Sequence, residues 1–184
     1  MQKTPPDIAR VLLSRETIQA RVDEIAAEIE KDYEKRENLY LVGILKGAFI
    51  FLADLTRRLR IPHIVDFMAV SSYGKTTSSS GAVRILMDLR ESIEERHVLI
   101  VEDIVDTGNT LSYLHHTLNE RRPASLQTCV LLKKEREQAG VPIDYLGFEI
   151  PDVWVVGYGL DFADTHRTLP YIAELKPETY RDTL

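Results

Sequence analysis

Apolar residues recur along this chain with two different periods. Ile18, Val22, Ile25 and Ile29 fall at helical spacing, so residues 15–36 read as an amphipathic helix. Leu39 to Leu45 is a short, almost continuous apolar run and reads as a strand. Gly47 to Leu59 returns to the helical period, with Phe51, Leu52, Leu55 and Leu59 on its inner face. Ile64 to Ser71 and Val83 to Asp88 read as strands, separated by the small polar stretch SSYGKTTSSSG, Ser71 to Gly81. The β-branched run Val98 to Val101 predicts another buried strand, Leu111 to Arg122 a helix, and Leu126 to Lys133 a further strand. YLGFEIP and VWVVGYG read as short strands near the C-terminus. Strands alternating with helices predict an α/β fold: a central, mostly parallel, twisted sheet flanked by helices. The turn-rich last third predicts a small appended hood lobe. Pro5, Pro6 and the last few residues read as frayed. No repeat or linker divides the chain, so residues 1–184 read as one domain.

Composition narrows the function classes. The 184 residues are 44% hydrophobic and 28% charged, ordinary for a globular protein with a sizeable core. A net charge of −6 argues against general affinity for nucleic acid or an anionic membrane. An acidic protein that binds phosphate must do so locally, through a helix N-terminus, a metal and a few placed cations. The single cysteine, Cys129, excludes an internal disulfide and sits in the apolar run SLQTCVLL as a buried thiol. No segment has the length and hydropathy of a membrane span or a secretory signal, which predicts a cytoplasmic protein.

The chemistry concentrates in HVLIVEDIVDTGNTL, His97 to Leu111. A strand ends in the acidic pair Glu102-Asp103. Asp106 and the small polar tetrad Thr107-Gly108-Asn109-Thr110 follow, and a helix opens behind them. Backbone N–H groups at such a turn favour an anion. Carboxylates beside an anion cradle make sense if they hold sugar hydroxyls or a divalent cation between them. The pattern therefore points to a phosphorylated sugar with magnesium. The bland reading of the same stretch is a strand end with solvated acids and a helix cap by Thr107 or Asn109.

The stretch V-L-I-V-E-D-I-V-D-T-G-x-T resembles the phosphoribosyl diphosphate (PRPP) signature of type I phosphoribosyltransferases. Two further stretches, ILKGAF (Ile44 to Phe49) and LGFEIPDVWVVGYGLDFADTHR (Leu146 to Arg167), resemble the 6-oxopurine branch, the hypoxanthine-guanine enzymes. The resemblance implies the type I fold and transfer of 5-phosphoribosyl from PRPP to N9 of hypoxanthine or guanine, with magnesium as cofactor. Purine salvage would be its setting, and IMP or GMP and pyrophosphate its products. It implies a homodimer or homotetramer and no nucleic-acid or membrane partner.

The resemblance also assigns roles. Asp106 would be the general base. Glu102, Asp103, Asp106, Thr107, Gly108, Asn109 and Thr110 would hold the ribose and 5′-phosphate. Asn109 replaces the lysine or arginine found there in many relatives. Lys46, Gly47 and Arg167 would bind pyrophosphate, with a cis peptide between Leu45 and Lys46. Taken alone, Lys46 and Arg167 would be surface cations. Lys133, counted back from the second signature, would donate to the 6-oxo group. Trp154 would stack on the base, the backbone of Val155 would read its edge, and Asp161 would line the base and metal side. Glu102, Asp103 and Asp161 would be the metal ligands. Ser72 and Tyr73 would sit on a lid that excludes water. His115, His116 and His166 receive no role.

A pyrimidine phosphoribosyltransferase would share the PRPP loop but not the lysine and aromatic residue of the base pocket. A regulatory nucleotide-sensing relative would lack the catalytic aspartate or carry a basic surface. A non-enzymatic sensor would not need a lid.

Overall fold

A computed structural model describes residues 5–72, 83–136, 140 and 142–181. Six strands form the main sheet: β2 (Leu39–Leu45), β3 (His63–Ser72), β4 (Val83–Met87), β5 (His97–Val105), β6 (Ser125–Lys134) and β7 (Tyr145–Ile150). Their order is β4-β3-β2-β5-β6-β7, with every neighbouring pair parallel except the antiparallel β3–β4 edge. A parallel sheet needs both faces covered. Helices α1 (Arg15–Tyr33) and α2 (Phe49–Thr56) cover one face, and α3 (Asn109–Asn119) covers the other.

Strand alternation explains how one short run serves both faces. In β2, Leu39 and Leu41 pack towards α1 and α2, while Tyr40, Val42 and Ile44 pack towards α3. In β5, Leu99 and Val101 take the first face, and Val98 and Ile100 the second. Ser14 caps α1 by accepting a hydrogen bond from the Thr17 amide. Ile18, Val22, Ile25 and Ile29 of α1 are fully buried, each worth roughly 1.5–3 kcal/mol of burial.

The hood is a second sheet of three strands. β1 (Ile8–Leu13) pairs antiparallel with β9 (Ile172–Leu175), which also pairs with the two-residue β8 (Val155–Val156). A single turn of helix, α4 (Pro177–Tyr180), follows. The hood thus joins both ends of the chain, and its β1, β9 and α4 were not apparent from the residue pattern. Pro5 and Pro6 are not frayed: the Ile8 amide donates to the Pro5 carbonyl and Lys176 Nζ donates to the Pro6 carbonyl at 2.5 Å. The last three residues lie outside the described residues. Among the described residues no helix is long and apolar enough to cross a membrane.

Candidate active site

The C-terminal ends of β2, β5 and β6 converge under the hood on a cavity of about 720 Å³. Lys46, Gly47, Asp103, Asp106, Lys134, Trp154, Val155, Asp161 and Arg167 line it, and Ala69, Val70 and Leu86 reach it from β3 and β4. A smaller pocket of about 90 Å³ adjoins it, lined by Glu102, Asp106, Thr107, Gly108, Thr110 and Leu111. Gly108 caps α3 at φ 80°, and its carbonyl accepts from the Ser112 amide at 2.8 Å. The turn therefore delivers the first amides of an eleven-residue helix beside the small pocket. Asn109 opens that helix, exposed, and does not line the pocket, so its side chain is not part of the cradle.

Glu102 and Asp103 part company. Glu102 pairs with Val130 and faces the α3 side, where its Oε2 is buried without a hydrogen-bond partner. Asp103 points the other way, into the large cavity. Burial holds the Glu102 carboxyl well above its ordinary range, and the Asp103 charge adds to this. Burial likewise raises Asp103 to about 6. The backbone amides of Asp103 and Ile104 and the Arg167 charge oppose that rise, and the Asp161 charge adds to it. Of the three expected metal ligands, Asp103 and Asp161 line the large cavity and Glu102 lines only the small pocket. Among the described residues no three acidic, His or Cys side chains gather into one ligand set.

Gly47 permits this geometry. A Cβ on Gly47 would stand 1.6 Å from Asp103 Oδ2, so no other residue lets the loop after β2 lie against the strand end. The Leu45–Lys46 peptide is cis. Lys46 Nζ donates to Asp164 Oδ1 at 3.0 Å. Arg167 binds Asp161 at 2.7 Å and Asp164 at 3.1 Å, and its Nη1 donates to the Gly159 carbonyl at 2.8 Å. Lys46 and Arg167 are thereby gathered through Asp164, which no motif marks.

The base side needs one correction. Lys133 does not reach the cavity; its Nζ donates to Glu149 at 2.6 Å on β7. Lys134 lines the cavity instead, 3.7 Å from Asp106 and 3.1 Å from Asp152. Just before the two lysines, Leu131 and Leu132 both enter the same core, and of the adjacent pair Lys134 takes the cavity while Lys133 takes Glu149. Trp154 lines the cavity with its ring stacked on Tyr180 at 5.3 Å and edge-on to Phe162 at 5.6 Å. Val155 is in β8 beside it. Asp106 receives a 2.5 Å hydrogen bond from Arg136. Arg136, Asp152, Phe162 and Tyr180 do not line the cavity but touch side chains that do, and the motifs left them unmarked. Ser72 ends β3, and Tyr73 and the rest of the expected lid lie outside the described residues. His166 meets Asp7 at 2.7 Å, a tie between the hood and the Arg167 segment. Cys129 is buried, which pushes its thiol far up, as a structural cysteine requires.

Residues 12–163 match the model of the phosphoribosyl transferase domain. The chain is 53% identical to a hypoxanthine-guanine phosphoribosyltransferase of Dictyostelium discoideum, over 93% of this chain and 97% of that protein. It is 47% identical to the Bacillus subtilis hypoxanthine-guanine phosphoribosyltransferase, over 95% and 97%. Among solved structures, a Trypanosoma cruzi hypoxanthine phosphoribosyltransferase in complex with the product IMP superposes with a TM-score of 0.90 at 46% identity, covering 97% of this chain and all of that one. A Staphylococcus aureus hypoxanthine phosphoribosyltransferase gives 0.89 at 46%, covering 95% of each. The fold, the paired pockets and these likenesses agree: the chain belongs to the phosphoribosyltransferase family, in its hypoxanthine-guanine branch.

Proposed function

We propose that this chain transfers the 5-phosphoribosyl group of PRPP to N9 of hypoxanthine or guanine, forming IMP or GMP and releasing pyrophosphate. One observation carries the reading: a single cavity places a carboxylate (Asp106), an ammonium (Lys134) and an indole (Trp154) beside an anion-binding turn. N7 and the 6-oxo group lie on one edge of a 6-oxopurine. Asp106 accepts the N7 proton while Lys134 donates to the oxygen, and their 3.7 Å separation suits adjacent atoms of one base. Adenine offers an amino group there, which would leave the ammonium facing a donor. Lys134 thus takes the role first expected of Lys133. Trp154 stacks on the base, and the backbone of Val155 reads its edge.

The turn from Asp106 to Thr110 wraps the 5′-phosphate with N–H groups and the Thr107 and Thr110 hydroxyls. Glu102 and Asp103 hold ribose hydroxyls. Positive charge grows at the anomeric carbon as the bond to pyrophosphate lengthens, and the Asp103 carboxylate stabilises it. Lys46, the Gly47 amide and Arg167 take the departing pyrophosphate, for which a guanidinium fork is suited. Magnesium fits the donor set. Asp103 and Asp161 are hard oxygen donors in one cavity, and the buried Asp103 carboxylate carries its charge at a cost that a cation would remove. When bound there, magnesium would supply charge neutralisation of the pyrophosphate. To Ser72, which ends β3, and Tyr73, the next residue in sequence, we assign a lid that keeps water from the activated carbon.

The chain acts as one phosphoribosyltransferase domain over residues 1–184, as a homodimer or homotetramer in the cytoplasm, without a nucleic-acid or membrane partner. The test is nucleotide formation from PRPP and magnesium with hypoxanthine, guanine, xanthine, adenine and uracil in parallel. Turnover of hypoxanthine or guanine, and none of adenine or uracil, is expected. PRPP binding without turnover of any base would move the assignment to a nucleotide-sensing homologue.

A further inference from the structure

Two cations and two carboxylates form a closed ring at the cavity mouth. Arg136 Nη1 lies 2.5 Å from Asp106 Oδ1 and 3.6 Å from Asp152 Oδ2. Lys134 Nζ lies 3.1 Å from Asp152 Oδ1 and 3.7 Å from Asp106 Oδ2. Each cation touches both acids, but the shorter contacts engage the two groups that the purine step needs. Asp106 must present an oxygen to N7, and Lys134 must reach the 6-oxo group. With Arg136 on Asp106 and Lys134 on Asp152, neither is fully available to the base.

The same ring contains the way out. Arg136 already stands next to Asp152, so a small side-chain movement transfers its guanidinium from one carboxylate to the other. Arg136, Asp106 and Asp152 are all partly exposed. Solvent-exposed ion pairs are weak, which makes the exchange easily reversible by an incoming ligand.

We propose that Arg136 is a positioning residue for the purine step: it holds the Asp106 carboxylate while the base site is empty and transfers to Asp152 as the base enters. This rests on the assignment of Asp106 as the general base. The hold makes only a fraction of the empty enzyme competent for the base, so apparent base affinity is reduced by that fraction. A weak surface pair corresponds to about a two- to five-fold reduction. Once the base is bound the hold is gone, so turnover at saturation is untouched.

The test is steady-state kinetics of wild type, Arg136→Gln, Asp152→Asn and the double variant, with hypoxanthine and PRPP varied separately. Arg136→Gln is expected to lower the hypoxanthine KM about two- to five-fold, leaving kcat and the PRPP KM unchanged. Asp152→Asn removes the second acceptor but also frees Lys134, so the expected result is the coupling: its effect on the hypoxanthine KM should be less favourable with Arg136 present than in the Arg136→Gln background, which two independent sites would not show. A purely structural role for Arg136 would instead move kcat or the PRPP KM as well. An unchanged or raised hypoxanthine KM in Arg136→Gln, or strictly additive effects in the double variant, overturns the proposal. Wild-type turnover in the same assay separates the two readings. If wild type makes no nucleotide, the enzymatic assignment fails; if wild type turns over and Arg136→Gln leaves the KM where it was, only the exchange fails.

Discussion

Gly47→Ala is the sharpest test of how the loop after β2 meets the acidic strand end. The added methyl would lie 1.6 Å from Asp103 Oδ2 and 2.4 Å from its Cγ, where ordinary contact begins at 3.4 Å. About 1.8 Å of separation must be found. Asp103 gives way poorly, because it is buried and its carboxylate is held by the backbone amides of Asp103 and Ile104. The loop carrying Lys46 must therefore move. Gly47 is not among the described glycines with positive φ, so alanine meets no backbone penalty and the effect is steric. Misplacing reacting groups by about 1 Å costs on the order of 10²-fold, so kcat/KM for PRPP should fall by at least that factor. The overpacking itself should cost only about 1–3 kcal/mol of stability, leaving a folded protein. Initial rates of IMP formation at varied PRPP, with thermal unfolding followed by circular dichroism, measure both quantities. A folded Gly47→Ala enzyme within about threefold of wild type would refute the idea that this contact sets the loop's position.

Other outcomes follow from the same geometry. Asp106→Asn should lower kcat by about 10²–10⁴-fold while the PRPP KM changes little, and parallel losses in both would remove its role as base. Lys134→Ala should raise the hypoxanthine KM by at least about tenfold, the scale of a lost charged hydrogen bond, whereas Lys133→Ala breaks only a surface pair with Glu149 and should be near neutral; the reverse ranking would restore Lys133. Burial pushes the Asp66 carboxyl up, but the Arg90 amide, the Tyr40 hydroxyl and the Phe67 amide outweigh it and hold it below its ordinary value of 3.8. A lowered carboxylate contributes stability above its unfolded pKa and loses it as pH falls through the folded one. Asp66→Asn should therefore lower Tm at pH 7, and its deficit should shrink as both proteins are titrated below pH 3.8; a deficit independent of pH would contradict the network.

Much of the main sheet was legible in the residues. Leu39 to Leu45 was read with its observed limits because every side chain in it is apolar and its flanks are not. β5 runs past Val101 to Val105, since Glu102, Ile104 and Val105 remain paired with β6 although an acidic pair interrupts the apolar run. Hood strands β1 and β9 escaped notice because IARVLL and IAEL are short, mix charge with apolar residues, and become strands only by pairing across the whole length of the chain. A distance measured back from the second signature points to Lys133, but it does not say which of two adjacent strand-end lysines turns into the cavity. Arg136, Asp152 and Asp164 carry no signal of their own, because a charged residue on a loop looks alike whether it meets water or a carboxylate 118 positions away, as Asp164 meets Lys46.

The hood has a consequence for synthesis. The phosphate turn and the strands around it are complete once residue 134 has been made, and a ribosome-bound chain could already shape that half of the site. The wall that carries Trp154 and Val155 is different, for β8 is held by β9, and β9 by β1. Residues 8–13 emerge early and wait for residues 172–175. Closure of the wall that carries Trp154 and Val155 therefore comes after the turn behind β5 has formed, and a chain stalled between the two stages would carry that turn without the wall that faces it.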